Sequence, residues 1–311
     1  MAHVFVSRGL AGDALDRLTE AGHDVDLWTG NLPPHPTELR DHVAAAHGLL
    51  TTLTERVDEQ LLDAAPQLQV IANYAVGFDN IDIAAAEARG VAVGVTPDVL
   101  TDATADLTFA LLLAAARRLP EAAAAVTEGR WRSFETQAWL GADVTGQTIA
   151  IVGGAGRIGG AVARRARGFS MTTIIVGRND NLHEALAQAD FVSLHAPLTP
   201  ATHHLIDDAA LHAVKRGAIL VNTGRGGLVD QVALARALHD GRLAAAALDV
   251  TDPEPLPVDD PLLAAPNVLV LPHIGSATHT TRAKMAHLTV DNLLAGLDGR
   301  PLPHPAAASK K

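Results

Sequence analysis

The stretch TIAIV at 148–152 has the β-branched composition of a buried strand, and it leads directly into GAGRIG at 154–159 and then the helical GAVARRARGF. A G-x-G-x-x-G pattern with those two flanks restricts the chain sharply. The glycines permit a tight turn and a close approach of backbone to a pyrophosphate. The helix that follows offers its unpaired amides and positive dipole end to the same group. Gly154, Gly156 and Gly159 are therefore candidate nucleotide-binding residues, and an extra Gly153 leaves open which glycine makes the turn. A strand and helix joined this way belong to a parallel βαβ sheet.

The remaining sequence fits that architecture twice over. HVFVS, GLLTT, LQVIANYAVG and VAVGV alternate with Ala-rich helical stretches in the first hundred residues. A second series runs from TIAIV through TTIIVG, DFVSLH, AILVNTG, AALDV and VLVLPH. The expected fold class is α/β, with two doubly wound parallel-sheet domains: a Rossmann-type dinucleotide-binding domain and a discontinuous flavodoxin-like substrate domain. Between the series, Leu107, Ala110, Leu111 and Ala114 recur at helical spacing, and Pro120 discourages continuation, so one long helix is expected to link the domains. Ala286, Val290, Leu293, Leu294 and Leu297 mark another helix, which returns the chain to the first domain. The expected boundaries are 1–99 with 283–311 for the substrate domain and 100–282 for the nucleotide domain; the Pro- and Ala-rich tail receives no function.

Composition narrows the function. With 24 Lys and Arg against 35 Asp and Glu, a net charge of −11 argues against nucleic-acid or anionic membrane surfaces. There is no cysteine, which removes disulfides, thiolate metal sites and a Cys nucleophile and fits a cytoplasmic setting. No apolar run approaches the roughly 18 residues that span a bilayer, and MAHVFVSRGL lacks the build of a signal peptide.

Open α/β sheets bind ligands beyond the carboxyl ends of their strands. Three such ends carry reactive side chains: Arg225 after AILVNTG, Glu254 after AALDVTD and His273 after VLVLP. Reduction of a 2-oxoacid needs a cation to hold the carboxylate and polarise the ketone, and an acid to protonate the developing alkoxide. Arg supplies a planar, permanently charged grip. His is the proton donor suited to neutral pH, and an adjacent carboxylate orients it and favours its protonated form. His203 and His204, adjacent in sequence, are expected to point in different directions and to hold no metal.

Dinucleotide folds selective for NAD end their second strand with an acid that bonds the ribose 2′-hydroxyl, whereas an Arg there accommodates a 2′-phosphate. Here the strand ends VGRND, with Gly177 in the acidic position, Arg178 beside it and Asp180 close enough to stand in partly for the missing acid. The expectation is NADPH as preferred cofactor, with NADH the weaker alternative.

Taken together, LLTTLTERVD, NYAVGFDNIDI, GVAVGVTPDVLTDATADLTFALLLAAARR, GAGRIGGAVARRARGF, VNTGRGGLVD, ALDVTDPEPLPVDDPLL and LPHIGSATHTTRAKM resemble the D-isomer-specific 2-hydroxyacid dehydrogenases, especially the glyoxylate and hydroxypyruvate reductases. The resemblance implies that Arg225, Glu254 and His273 are the catalytic set. It implies that Leu53, with backbone at Val76 and Gly77, lines the substrate carboxylate pocket. It also implies that Arg157 and Ile158 lie at the pyrophosphate, Pro197 and Thr202 along the cofactor, and Thr223 and Asp249 near the nicotinamide. A homodimer is implied, in which Trp139 reaches toward the partner's active site. Alternatives are an NAD-dependent D-2-hydroxyacid or phosphoglycerate dehydrogenase, or a non-catalytic NAD(P)-binding regulator. One departure from the pattern stands out. Between Arg178 and Asp190 the chain is a helix and a strand too short, so the edge strand of the nucleotide sheet is expected to be missing.

Overall fold

A computed structural model describes residues 1–306; the end of the lysine-terminated tail lies outside the described residues. The chain divides into two compact units, Met1–Leu100 with the chain from Ser276 onward, and Thr101–Gly275. The second crossing falls earlier than 282/283. The Asp249 carboxylate holds the amides of Ile274 and Gly275 in the second unit, and Thr278 already caps the helix that opens the return segment.

The first unit contains strands β1 (His3–Val6), β2 (Asp24–Leu27), β3 (Gly48–Thr51), β4 (Val70–Asn73) and β5 (Ala92–Gly94), all parallel in the order β2-β1-β3-β4-β5. Its helices are α1 (Asp16–Glu20), α2 (Pro36–Val43), α3 (Glu59–Ala64), α4 (Ile83–Ala88) and, after the chain returns, α11 (His279–Leu297). Side chains alternate across a strand. Phe5, Leu49 and Ile71 accordingly enter one core under α2, α3 and α4, while Val4, Val6, Leu50, Val70 and Ala72 enter another beneath α11. Burial on both faces explains why these strands read as continuous apolar runs.

The second unit begins with α5 (Thr101–Ala116) and α6 (Leu119–Thr127). Its strands are β6 (Thr148–Val152), β7 (Thr172–Val176), β8 (Phe191–Leu194), β9 (Ala218–Asn222), β10 (Leu243–Leu248) and β11 (Val268–Val270). Helices α7 (Arg157–Gly168), α8 (Leu182–Gln188), α9 (Asp208–Ala213) and α10 (Gln231–His239) complete it. The sheet is parallel in the order β11-β10-β9-β8-β6-β7. Ile149, Ile151, Phe191, Ile219 and Val221 pack against residues of α5 and α7, and Ala150, Val152, Val192, Leu194 and Leu220 against those of α8, α9 and α10. The order reverses between β6 and β8, the switch point where such sheets bind ligands. A full dinucleotide sheet has one more strand beyond β7; here α8 alone connects β7 to β8, and β7 is the sheet edge.

Two local expectations are refined. The linking helix α5 does stop ahead of Pro120, at Ala116, but a second helix follows: Arg118 turns the chain with left-handed φ of 53°, and Pro120 sits in the first turn of α6, where its missing amide costs nothing. The periodic set on α5 is only partly the buried face: Leu111 is buried, Leu107 and Ala114 are half-buried and Ala110 is exposed. Thr104, Ala105, Thr108, Phe109, Leu112, Ala115 and Ala116 are buried with Leu111. The inner face includes Thr104 and Thr108, polar positions that apolar spacing alone does not select.

The return of the chain is secured by one buried amide. Asn292 on α11 donates to Val95 O and accepts from His304 N, each at 3.0 Å, and it fits because a Cβ on Gly94 would come within 2.5 Å of its Cγ. Asn292→Ala leaves both backbone groups unpaired and is expected to cost about 2–6 kcal/mol, at about 1–3 kcal/mol for each buried unsatisfied group. A urea unfolding midpoint equal to that of the unsubstituted protein would contradict this.

Candidate active site

The glycine turn follows β6. Gly153 makes the tight bend with φ of +79°, and a Cβ there would lie 2.6 Å from Ala196 N; this resolves the choice between the adjacent glycines. A Cβ on Gly154 would meet Ile151 O at 2.8 Å, and one on Gly159 would meet the Gly154 Cα at 2.6 Å, so α7 is drawn against the turn. Gly156 is the N-cap of α7 and offers no side-chain cap, whereas α3, α4, α9 and α10 are each capped by an Asp. The first amides of α7 are thus left to an anion. Ile158 packs partly into the core, and Arg157 stands beside it as the first residue of α7. These features fit a dinucleotide pyrophosphate, held by the turn and the first amides of α7.

The three reactive side chains lie just beyond β9, β10 and β11, which are consecutive neighbours in the sheet. Glu254 Oε2 lies 2.8 Å from His273 Nδ1, and its Oε1 accepts from Thr251 N at 3.1 Å. Both side chains remain partly accessible, at 30% for His273 and 37% for Glu254. His273 has left-handed φ of 54°, and its amide donates to Asp249 O. The buried Asp249 carboxylate then accepts from Ile274 N and Gly275 N, each at 2.7 Å. Burial pushes that carboxyl above its usual value. The two amides and His273 oppose the rise and Glu254 adds to it.

Arg225 is half-buried, its Nη1 donating to Gly224 O while the Asn222 amide holds Arg225 O at 2.8 Å. Thr223 is buried, its Oγ1 2.9 Å from that of Thr108 on α5. Thr202 Oγ1 donates to Pro197 O at 2.7 Å and so braces the loop after β8. Three supporting residues escaped the sequence reading. Gly226 is needed because a Cβ would fall 2.0 Å from Thr251 O. The Gln231 amide pairs with both backbone groups of Asp252. His195 directly follows β8, with its Nε2 2.7 Å from Ser193 Oγ and its Nδ1 buried without a hydrogen-bond partner.

In the first unit, Leu53 lies on the loop after β3, and Val76 and Gly77 lie on the turn after β4. That loop is organised by Glu55, which is only 3% exposed. Its Oε2 accepts from Ser7 Oγ, Thr51 Oγ1, Thr52 N and Thr52 Oγ1, and its Oε1 from Thr54 Oγ1. Burial alone would raise this carboxyl, but the bonds from Thr54, Thr52 and Ser7 outweigh it and hold the group below its ordinary value. Asn73 braces Gly77 O, and Asn80 braces Thr52 O. Glu55 was invisible beforehand because its partners come from β1 and β3 as well as its own loop.

Elsewhere, the expectation that His203 and His204 diverge is corrected: their rings stack at 3.9 Å, since His204 adopts left-handed φ of 51°. Among the described residues no group of His, Asp and Glu could hold a metal, and no helix is long and apolar enough to cross a membrane. Trp139 sits beneath the Arg130 guanidinium, 5.6 Å from its ring centroid.

Residues 109–275 match the family model for the D-isomer specific 2-hydroxyacid dehydrogenase, NAD binding domain. A glyoxylate reductase of Korarchaeum cryptofilum is 46% identical over 306 residues, covering 94% of this chain and 92% of its own length. The crystal structure of a Thermus thermophilus protein has a TM-score of 0.93 at 50% identity, covering 98% of this chain and 100% of its own. The NADPH-dependent glyoxylate/hydroxypyruvate reductase of Sinorhizobium meliloti, in complex with NADP and malonate, gives a TM-score of 0.87 at 32% identity, covering 98% and 97%.

Two acid-sensitive groups generate a prediction. Burial pushes the His195 imidazole from 6.5 to about 4; part of the residue is accessible, yet Nδ1 is sealed from solvent. The unfolded chain therefore takes up this proton first, and stability falls as pH drops from 6.5 toward about 4. Glu55 acts in a lower window: its contribution is present above 4.5 and is lost as pH falls through its depressed folded value. His195→Gln is expected to flatten the decline in melting temperature in the upper window while leaving the lower one. Parallel calorimetric profiles for both proteins across the upper window would contradict it.

Proposed function

The chain belongs to the D-isomer-specific 2-hydroxyacid dehydrogenases, and on that premise we propose that it reduces a small 2-oxoacid, glyoxylate or hydroxypyruvate, to the D-2-hydroxyacid, with NADPH the preferred reductant. The observation that carries the reading is the 2.8 Å His273–Glu254 pair at strand ends adjacent to that of Arg225, in the sheet whose first strand carries the glycine turn.

A reduced nicotinamide, when bound, supplies the hydride to the carbonyl carbon. Arg225 grips the substrate carboxylate and polarises the ketone, so charge developing on oxygen meets a fixed cation. Glu254 accepts from His273 Nδ1, which fixes the tautomer and leaves Nε2 to deliver the proton that converts the alkoxide to the hydroxyl. Asp249 is a positioning residue, anchoring the backbone of residues 273–275. Leu53, Val76 and Gly77 stand in the same proposal as substrate-facing positions of the first unit. Pro197, Thr202 and Thr223 stand in it as positions along the cofactor.

The NADPH preference rests on Gly177, which removes an acid from the end of β7, and on Arg178, which is exposed and able to pair with a 2′-phosphate. A well-formed charge-assisted contact is worth about 1.5–3 kcal/mol, or roughly 10- to 100-fold, and exposure to salt reduces it. A homodimer is also proposed. Trp131, Phe134 and Leu140 are 64, 90 and 67% exposed in one short segment around Trp139, an apolar surface suited to a second copy of the chain.

His273→Ala is expected to lower kcat by roughly 10²–10⁴-fold, the usual scale for a positioned acid. Near-normal turnover on the best 2-oxoacid in a spectrophotometric screen would overturn the assignment. Arg225→Lys keeps the charge but loses the planar fork, so both KM and kcat should worsen. A lysine variant as active as the original would rule out bidentate recognition. Dinucleotide binding without turnover of any 2-oxoacid would instead identify a regulator.

A further inference from the structure

The turn after β7 contains the Asp180 carboxylate, close to the position where a strand-end acid is missing. Gly177, Arg178, Asn179 and Asp180 separate the end of β7 from Asn181, the N-cap of α8. Asp180 doubles back over this turn: its Oδ2 accepts from Gly177 N at 2.7 Å, and its own amide approaches Gly177 O at 3.4 Å. A Cβ built on Gly177 would lie 3.3 Å from that same Oδ2. The carboxylate thus occupies the space into which a side chain at position 177 would project.

From this geometry we propose that Asp180 is a displaced ribose-recognising acid and a specificity-determining residue, accepting from the ribose hydroxyls of an unphosphorylated dinucleotide and opposing a 2′-phosphate. The inference rests on the glycine turn being the dinucleotide site. An acid at the end of the second strand normally performs this task from its own position. Here glycine at 177 leaves room, and an acid three residues later returns to fill it. Arg178 and Asp180 then act in opposite senses on the 2′-phosphate. Because β7 is the sheet edge, no further strand of the described residues lies beyond this turn to add contacts, and selectivity falls on the turn itself. The enzyme consequently accepts both NADP(H) and NAD(H), with a preference narrower than Arg178 alone would confer.

The test is calorimetric titration of the full-length protein with NAD⁺ and NADP⁺, which reads binding without turnover. Asp180→Asn keeps an oxygen for the Gly177 amide, so the turn survives while the charge is lost. Its preference for NADP⁺ over NAD⁺ is expected to rise roughly 5- to 30-fold relative to the unsubstituted protein, on the scale of one to two exposed charge contacts. Arg178→Ala should shift the ratio the other way. An unchanged ratio in Asp180→Asn, with binding of both nucleotides intact, would overturn the proposal and leave Asp180 as a turn cap. Failure of the unsubstituted protein to bind either nucleotide would overturn the dinucleotide reading itself.

Discussion

Parallel pairing of β9, β10 and β11 determines where the chemistry can occur. Parallel strands end on the same edge of the sheet, and neighbouring ends bring together residues far apart in sequence. The strand ends that precede Arg225, Glu254 and His273 are adjacent, because the register Leu248↔Asn222 and Leu248↔Val270 aligns the three strands. The connecting backbone adds precision. Asp249 anchors the segment that carries His273, Gln231 clasps Asp252, and glycine at 226 lets the loop after Arg225 pack against Thr251. Under the proposed mechanism, a small change in any of these contacts would move His273 or Arg225 by a distance that matters for proton transfer.

The same principle seats the nucleotide turn at the switch point between β6 and β8. The supports there are steric, with Gly153, Gly154 and Gly159 each occupying a place where a Cβ would collide with backbone or a buried side chain. The shortened segment acts on a different level. Losing a strand beyond β7 leaves the core of the sheet intact, since Val152, Leu194 and Leu220 are covered by helices regardless. Under the proposal above, the loss concentrates cofactor selection on the turn 177–180.

Much of this was legible in the sequence, for identifiable reasons. TIAIV, AILVN and LLT announce strands because parallel strands buried on both faces are apolar throughout, and GAGRIG announces its turn because only glycine tolerates the approach. Arg225, Glu254 and His273 could be picked out because each lies a few residues beyond such a run. What local pattern could not deliver depended on tertiary partners. The inner face of α5 was hidden because it includes Thr104 and Thr108, which an apolar pattern passes over. Glu55 draws its partners from β1, β3 and its own loop. Stacking of His203 on His204 required a left-handed backbone that nothing in the dipeptide specifies.

The central claim is that His273 and Glu254 work as one proton-delivering unit with Arg225. A double-mutant cycle on kcat/KM with Glu254→Gln, His273→Ala and the combined variant tests it most directly, because residues that act as a unit are strongly non-additive. Once His273 is gone, the carboxylate has no imidazole to orient. The combined variant should then be no more than about threefold worse than His273→Ala alone, although Glu254→Gln by itself lowers kcat/KM substantially. Losses that multiply, with the double variant falling by the product of the two single effects, would contradict the account.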